Sequence, residues 1–165
     1  PTVDGALWFA RRVWPRVRRE VAAARWLLAG ARPAAALRRL AGRDGIELIA
    51  EPDDLEAIRR RARLAIAPLR AGSGVPVKVL EALAAGLPVI ATPAAASGLD
   101  GLAGGELALA EEPADFAAAV VRLLRDGAAA RAQATRAGAW LRAHHEPRLV
   151  ASRFEAVLRE ALAGP

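Results

Sequence analysis

The chain contains no cysteine. Disulfide frameworks, cysteine-based zinc sites and thiol nucleophiles are therefore excluded, and a reducing compartment is compatible with the composition. Histidine is scarce as well: His144 and His145 are the two present, too few for a His-rich metal centre. Lysine is scarcer still, with Lys78 standing alone among 24 basic residues. No secretory or transit pattern opens the sequence. Long apolar runs are also missing. The stretch between Glu81 and Asp100 is uncharged, but Gly86, Pro88, Pro93 and Gly98 break it into helix, strand and loop rather than a membrane span.

What is present suits one globular domain over residues 1–165, with 54% hydrophobic and 25% charged residues. The 14 Gly and 11 Pro follow no triplet period, so a collagen-like chain is excluded. The net charge of +6 raises the question of a nucleic-acid or anionic-membrane partner. The kind of charge answers it differently. A preference for Arg over Lys, with Ala at about a quarter of positions, suits a GC-rich coding sequence. No aromatic platform for bases accompanies the densest Arg cluster, Arg11, Arg12, Arg16, Arg18 and Arg19. No nucleic-acid partner is expected.

Along the chain, short strands alternate with helices. Leu7, Trp14, Val17 and Val21 mark an amphipathic helix over 6–22, with Asp4-Gly5 as its cap and Pro15 as a break. Strands are predicted over 25–30, 46–50, 64–68, 88–92 and, more weakly, 106–110. Helices are predicted over 33–42, 54–62 and 76–85, around Phe116–Leu124, over 128–143 and around Val150–Leu162. Residues 93–105 read as a Gly/Ala-rich connection. This alternation predicts an α/β fold, a parallel sheet with helices on both faces. In such sheets ligands bind beyond the carboxyl ends of the strands. The loops Gly30–Pro33, Glu51–Asp54, Leu69–Val75 and Pro93–Gly98 are therefore the places to look.

The segment Pro68–Thr92 carries the chemistry. It reads as strand, Gly-rich turn, helix and strand. Gly72 and Gly74 let a backbone approach a ligand closely. The turn feeds a helix N-terminus, where unpaired N–H groups and the dipole favour an anion. Gly74, Lys78 and Glu81 fall at i, i+4 and i+7, on one helix face. Lys78 is then placed to meet a phosphate, and Glu81, one turn deeper, to accept hydrogen bonds from paired sugar hydroxyls. Arg70 adds a second cation. The same residues also suit a plain tight turn beside a solvated Lys–Glu pair, and spacing alone leaves both readings open.

The whole stretch 68–92 resembles the donor-nucleotide segment of family 4 glycosyltransferases. The closest part runs Lys78-Val79-Leu80-Glu81-Ala82-Leu83-Ala84-Ala85-Gly86-Leu87-Pro88-Val89-Ile90-Ala91-Thr92. Val3–Phe9 looks like the entry to the first helix of the family's carboxyl-terminal domain. The resemblance implies a Rossmann-like nucleotide-sugar-binding domain and a retaining transferase. Glu81 would hold the ribose hydroxyls. Gly72, Ser73 and Gly74 would lie against the diphosphate and donor sugar, with UDP- or GDP-sugars the favoured donors. Lys78 and Arg70 would neutralise the departing diphosphate. No metal or separate cofactor is expected, because cations of the chain can take the metal's place. A cytoplasmic enzyme is implied, and a peripheral membrane contact is compatible with the sequence.

Two departures qualify the resemblance. The first carboxylate of the family signature falls at Ser73, which leaves the donor sugar open. The family's first, central strand should precede Thr2 and is not in this sequence, nor is the amino-terminal domain that receives a glycan or lipid-linked acceptor. The chain is therefore expected to be a piece of a two-domain enzyme, inactive alone, whose last helix (146–162) reaches toward the other domain. Two rivals stay open: a non-catalytic basic module for anionic partners, and another nucleotide-binding enzyme of the same fold. The pairs Asp53-Asp54 and Glu111-Glu112 read as helix caps, and His144-His145 as a surface helix end.

Overall fold

A computed structural model of the chain describes residues 2–72, 74, 76–102 and 104–163. Helix α1 (Thr2–Trp8) runs into a π-helical turn (Phe9–Val13) and then α2 (Trp14–Glu20). Pro15 explains the interruption: it has no N–H to donate. The Trp14 N–H reaches back to the Phe9 carbonyl, widening the turn just before the ring. The helix restarts with Pro15 in its first turn. Asp4 and Gly5 lie inside α1, so the expected cap at these residues is corrected. The helix continues through them, and Gly5 passes against the carbonyl of Pro68, where any side chain would overlap.

Strand β1 (Trp26–Gly30), α3 (Ala35–Arg38), β2 (Ile46–Ala50), α4 (Leu55–Arg61) and β3 (Ala65–Ala67) follow. Helix α3 is shorter than the predicted 33–42, and no side chain caps its start. Next come α5 (Val77–Ala84), β4 (Val89–Ala91), α6 (Pro93–Ala96) and β5 (Leu107–Leu109). Helix α6 falls within the predicted connection, where the Thr92 hydroxyl accepts the Ala95 N–H at 3.2 Å. Helices α7 (Pro113–Arg125), α8 (Gly127–His145) and α9 (Pro147–Ala163) complete the chain.

All strand pairing among the described residues is parallel. β1 pairs with β2, Trp26 opposite Ile46. β4 lies between β3 and β5, with Val89 opposite both Ala65 and Leu107. The expected Rossmann-like α/β architecture is present, but in two pieces: β1 and β3 are not paired with each other. Both strands are only half-buried, whereas β4 is fully buried.

β4 shows how the faces are covered. Ile90 joins a core with Phe9, Val13, Val17, Trp26, Ile46 and Phe116. Its neighbours Val89 and Ala91 point the other way, into a second core with Val79, Leu83, Leu99, Ala137 and Trp140. Alternation along one strand thus feeds two helical layers. Phe9 is the hub of the first core, with its ring 4.8 Å from Trp26 and 5.8 Å from Phe116. In the second, the Gln133 amide donates to the Val89 carbonyl at 2.7 Å and anchors α8 on the sheet.

Candidate functional site

The turn after β3 leads into α5, as the segment 68–92 predicted. Gly74 has φ +93, a conformation that L side chains rarely adopt. A side chain at Gly72 or Gly74 would meet nothing within 4 Å among the described residues. Ser73 and Val75 lie outside the described residues. Pro76 precedes α5 and offers no capping side chain. The Val77 and Lys78 N–H groups find no acceptor among the described residues, the usual state of uncapped first-turn amides. Val79, Ala82 and Leu83 bury the inner face of α5. Lys78 and Glu81 are left exposed on the outer one.

The Thr92 hydroxyl donates to the Leu69 carbonyl, tying the start of the turn to the end of β4. One residue on, the side chain of Arg70 faces α1, with Nη1 3.9 Å from the Asp4 carboxylate. It lines an open cleft of about 440 Å³ with Leu7, Trp8, Arg11 and Arg12. Lys78 makes no ion pair among the described residues. The two predicted phosphate-side cations therefore occupy different settings: one paired beside α1, one unpaired on α5.

Glu81 is engaged. Its Oε2 accepts from Arg59 Nη2 at 2.8 Å, and Arg59 Nη1 reaches Glu56 at 3.4 Å. Sequence reasoning did not single out Arg59. The pair spans 22 residues and two helices, and no local pattern announces it. The loop before α4 is pinned by Glu51, whose N–H donates to the Gly30 carbonyl at 3.1 Å. Asp54 caps α4, accepting the Ala57 N–H at 3.0 Å. That hydrogen bond, the largest influence on it, holds the Asp54 carboxyl below its ordinary pKa of 3.8.

The other sequence candidates divide. Asp54 is a cap as read, but Glu112 precedes α7 without a side-chain cap bond. Asp126, not singled out from the sequence, caps α8 by accepting from Ala128 and Ala129. His144 donates from Nδ1 to the Trp140 carbonyl at 2.9 Å and stacks on the indole. Within the Arg cluster, Arg18 bonds the Ala24 carbonyl at 2.8 Å and serves the turn after α2. No group of three or more His, Asp or Glu among the described residues is arranged to hold a metal ion. No helix among them is long and apolar enough to cross a membrane.

None of the curated proteins matches the chain. A family model described as "Glycosyl transferases group 1" matches residues 1–126, most of its length, and the chain belongs to that family.

Proposed function

We propose that the turn Gly72–Gly74 and the outer face of α5 bind the nucleoside diphosphate of a sugar donor, a UDP- or GDP-sugar, for transfer with retention of configuration. One observation carries this reading: Lys78 and Glu81 project from one exposed face of α5, beside a turn whose glycines Gly72 and Gly74 meet no crowding among the described residues. A phosphate at the turn would meet the Val77 and Lys78 N–H groups and the Lys78 ammonium. Glu81 lies three residues on, about 4.5 Å further along the axis, a spacing that suits ribose hydroxyls.

When the bond from the sugar's anomeric carbon to the diphosphate breaks, its electron pair stays on the phosphate oxygen. Lys78, the helix amides and Arg70 would stabilise that growing charge, and Glu81 would hold the donor in place. The acceptor, a glycan or lipid-linked group, would come from a second domain. The half-buried edge strands β1 and β3 would each gain a partner from a further strand between them, which would complete one sheet.

Thermal-shift titration with UDP, GDP and ADP tests the donor reading. One diphosphate is expected to raise the melting temperature of the chain and to have no effect on Glu81→Ala. A clean melt with no shift by any of the three rejects donor binding by this chain alone.

A further inference from the structure

We propose that Arg59 is a positioning residue for the donor site, holding the Glu81 carboxylate by one oxygen so that the other is presented to the ribose diol. The inference rests on the donor reading above. The Glu81 Oε2 is taken by Arg59 Nη2 at 2.8 Å, while no hydrogen bond to Oε1 occurs among the described residues. Arg59 is itself held on both sides, because its Nη1 reaches Glu56 at 3.4 Å. Its side chain is 24% exposed, the least of any ion-paired arginine among the described residues, the others being 50% or more.

These facts separate Arg59 from an incidental surface partner. An exposed ion pair is loosely held, because two long side chains must give up rotamer freedom for a screened attraction. A half-buried guanidinium anchored at two nitrogens has already lost that freedom through its own packing. The planar guanidinium also aims its two Nη groups in fixed directions, one at Glu81 and one at Glu56, which a lysine ammonium cannot do. A glutamate at 46% side-chain exposure would otherwise sample several rotamers. Anchored by Oε2, it offers Oε1 in one place, which is what reading two adjacent hydroxyls requires. The contact also joins α4, and through it the loop Glu51–Asp54, to the helix carrying Lys78.

Calorimetric titration of the full chain with ribo- and 2′-deoxyribonucleoside diphosphates and with inorganic pyrophosphate tests this. The variants are Arg59→Ala, Arg59→Lys, Glu81→Ala and the double variant Arg59→Ala/Glu81→Ala. Arg59→Ala is expected to weaken the ribonucleotide about fivefold to tenfold, the size of a coupled contact. It should erase most of the preference for ribose over deoxyribose and leave pyrophosphate binding unchanged. Arg59→Lys should recover only part of the loss. The double variant should bind no worse than Glu81→Ala. Unchanged or tighter ribonucleotide binding in Arg59→Ala, with Glu81→Ala still impaired, overturns the positioning role and leaves the donor reading standing. Full binding by Glu81→Ala, or no nucleotide binding by the parent chain, overturns both. A melting temperature of Arg59→Ala close to that of the parent chain separates the effect from loss of fold.

Discussion

The backbone of Gly5, inside α1, rests directly on the carbonyl of Pro68, at the start of the turn that leads to Gly72 and Gly74. The contact couples the first helix to the candidate donor loop. An alanine in mid-helix is ordinarily favoured over glycine by about 1 kcal/mol. Here the neighbour is backbone and cannot swing aside. Gly5→Ala is therefore expected to destabilise the chain by roughly 1–3 kcal/mol, as overpacking does. Urea unfolding measures it, and a stabilised variant would show that α1 can slide away from Pro68.

Two phenylalanines on the same chain should behave in opposite ways. Phe9 is 1% exposed and packs its ring against Trp14, Trp26 and Phe116. Phe9→Ala is expected to cost about 3–5 kcal/mol. Phe154 is 62% exposed on α9, so Phe154→Ala should stay within about 0.5 kcal/mol. Parallel denaturation curves of the two variants test the assignment of the core.

Asp54 gives a pH-dependent prediction. Its folded pKa lies below the ordinary 3.8. The carboxylate's contribution is therefore complete above about pH 3.8 and is lost as pH falls through the lowered value. Amide exchange at Ala57 reads it directly. Protection should fall on acidification in the parent chain. Asp54→Asn, a neutral cap, should remove that acid-dependent step. Asp54→Ala should lose protection at every pH.

Lys78 should matter for binding and hardly at all for stability. It is exposed and makes no ion pair among the described residues, so Lys78→Ala is expected to melt as the parent does. On the donor reading it loses a charge-assisted contact of roughly 1.5–3 kcal/mol, about tenfold or more in diphosphate affinity. Binding should also become less sensitive to salt. Titrations at two ionic strengths decide it, and equal affinities for parent and variant would remove Lys78 from the site.

The fold was legible where the periodicity was strong. β2 over Ile46–Ala50 was read at its true bounds, and the helix capped by Asp54 to within a residue at each end. Of the candidate site, the helix face was legible: Lys78 and Glu81 share a helix side because three residues make nearly one turn. Illegible were features created by distant contact. The packing of Gly5 on Pro68 joins residues 63 positions apart, and the engagement of Glu81 depends on a residue of another helix. The π turn at Phe9–Val13 was only half announced, since Pro15 signals a break without saying how it is absorbed. Helix α6 hid in a small-residue stretch, where Thr92 supplies a cap that composition alone does not reveal.

The outer edges of β1 and β3, which have no strand partner among the described residues, bear on how the chain behaves in concentrated solution. Each leaves one edge without a neighbouring strand among the described residues, beside aliphatic side chains, Leu27 and Leu28 on one and Ile66 on the other. Such borders recruit extended peptide from other molecules. Expressed alone, the 165 residues are expected to form oligomers by strand exchange as their concentration rises. A short apolar peptide added in trans would compete with that exchange and keep the chain monomeric.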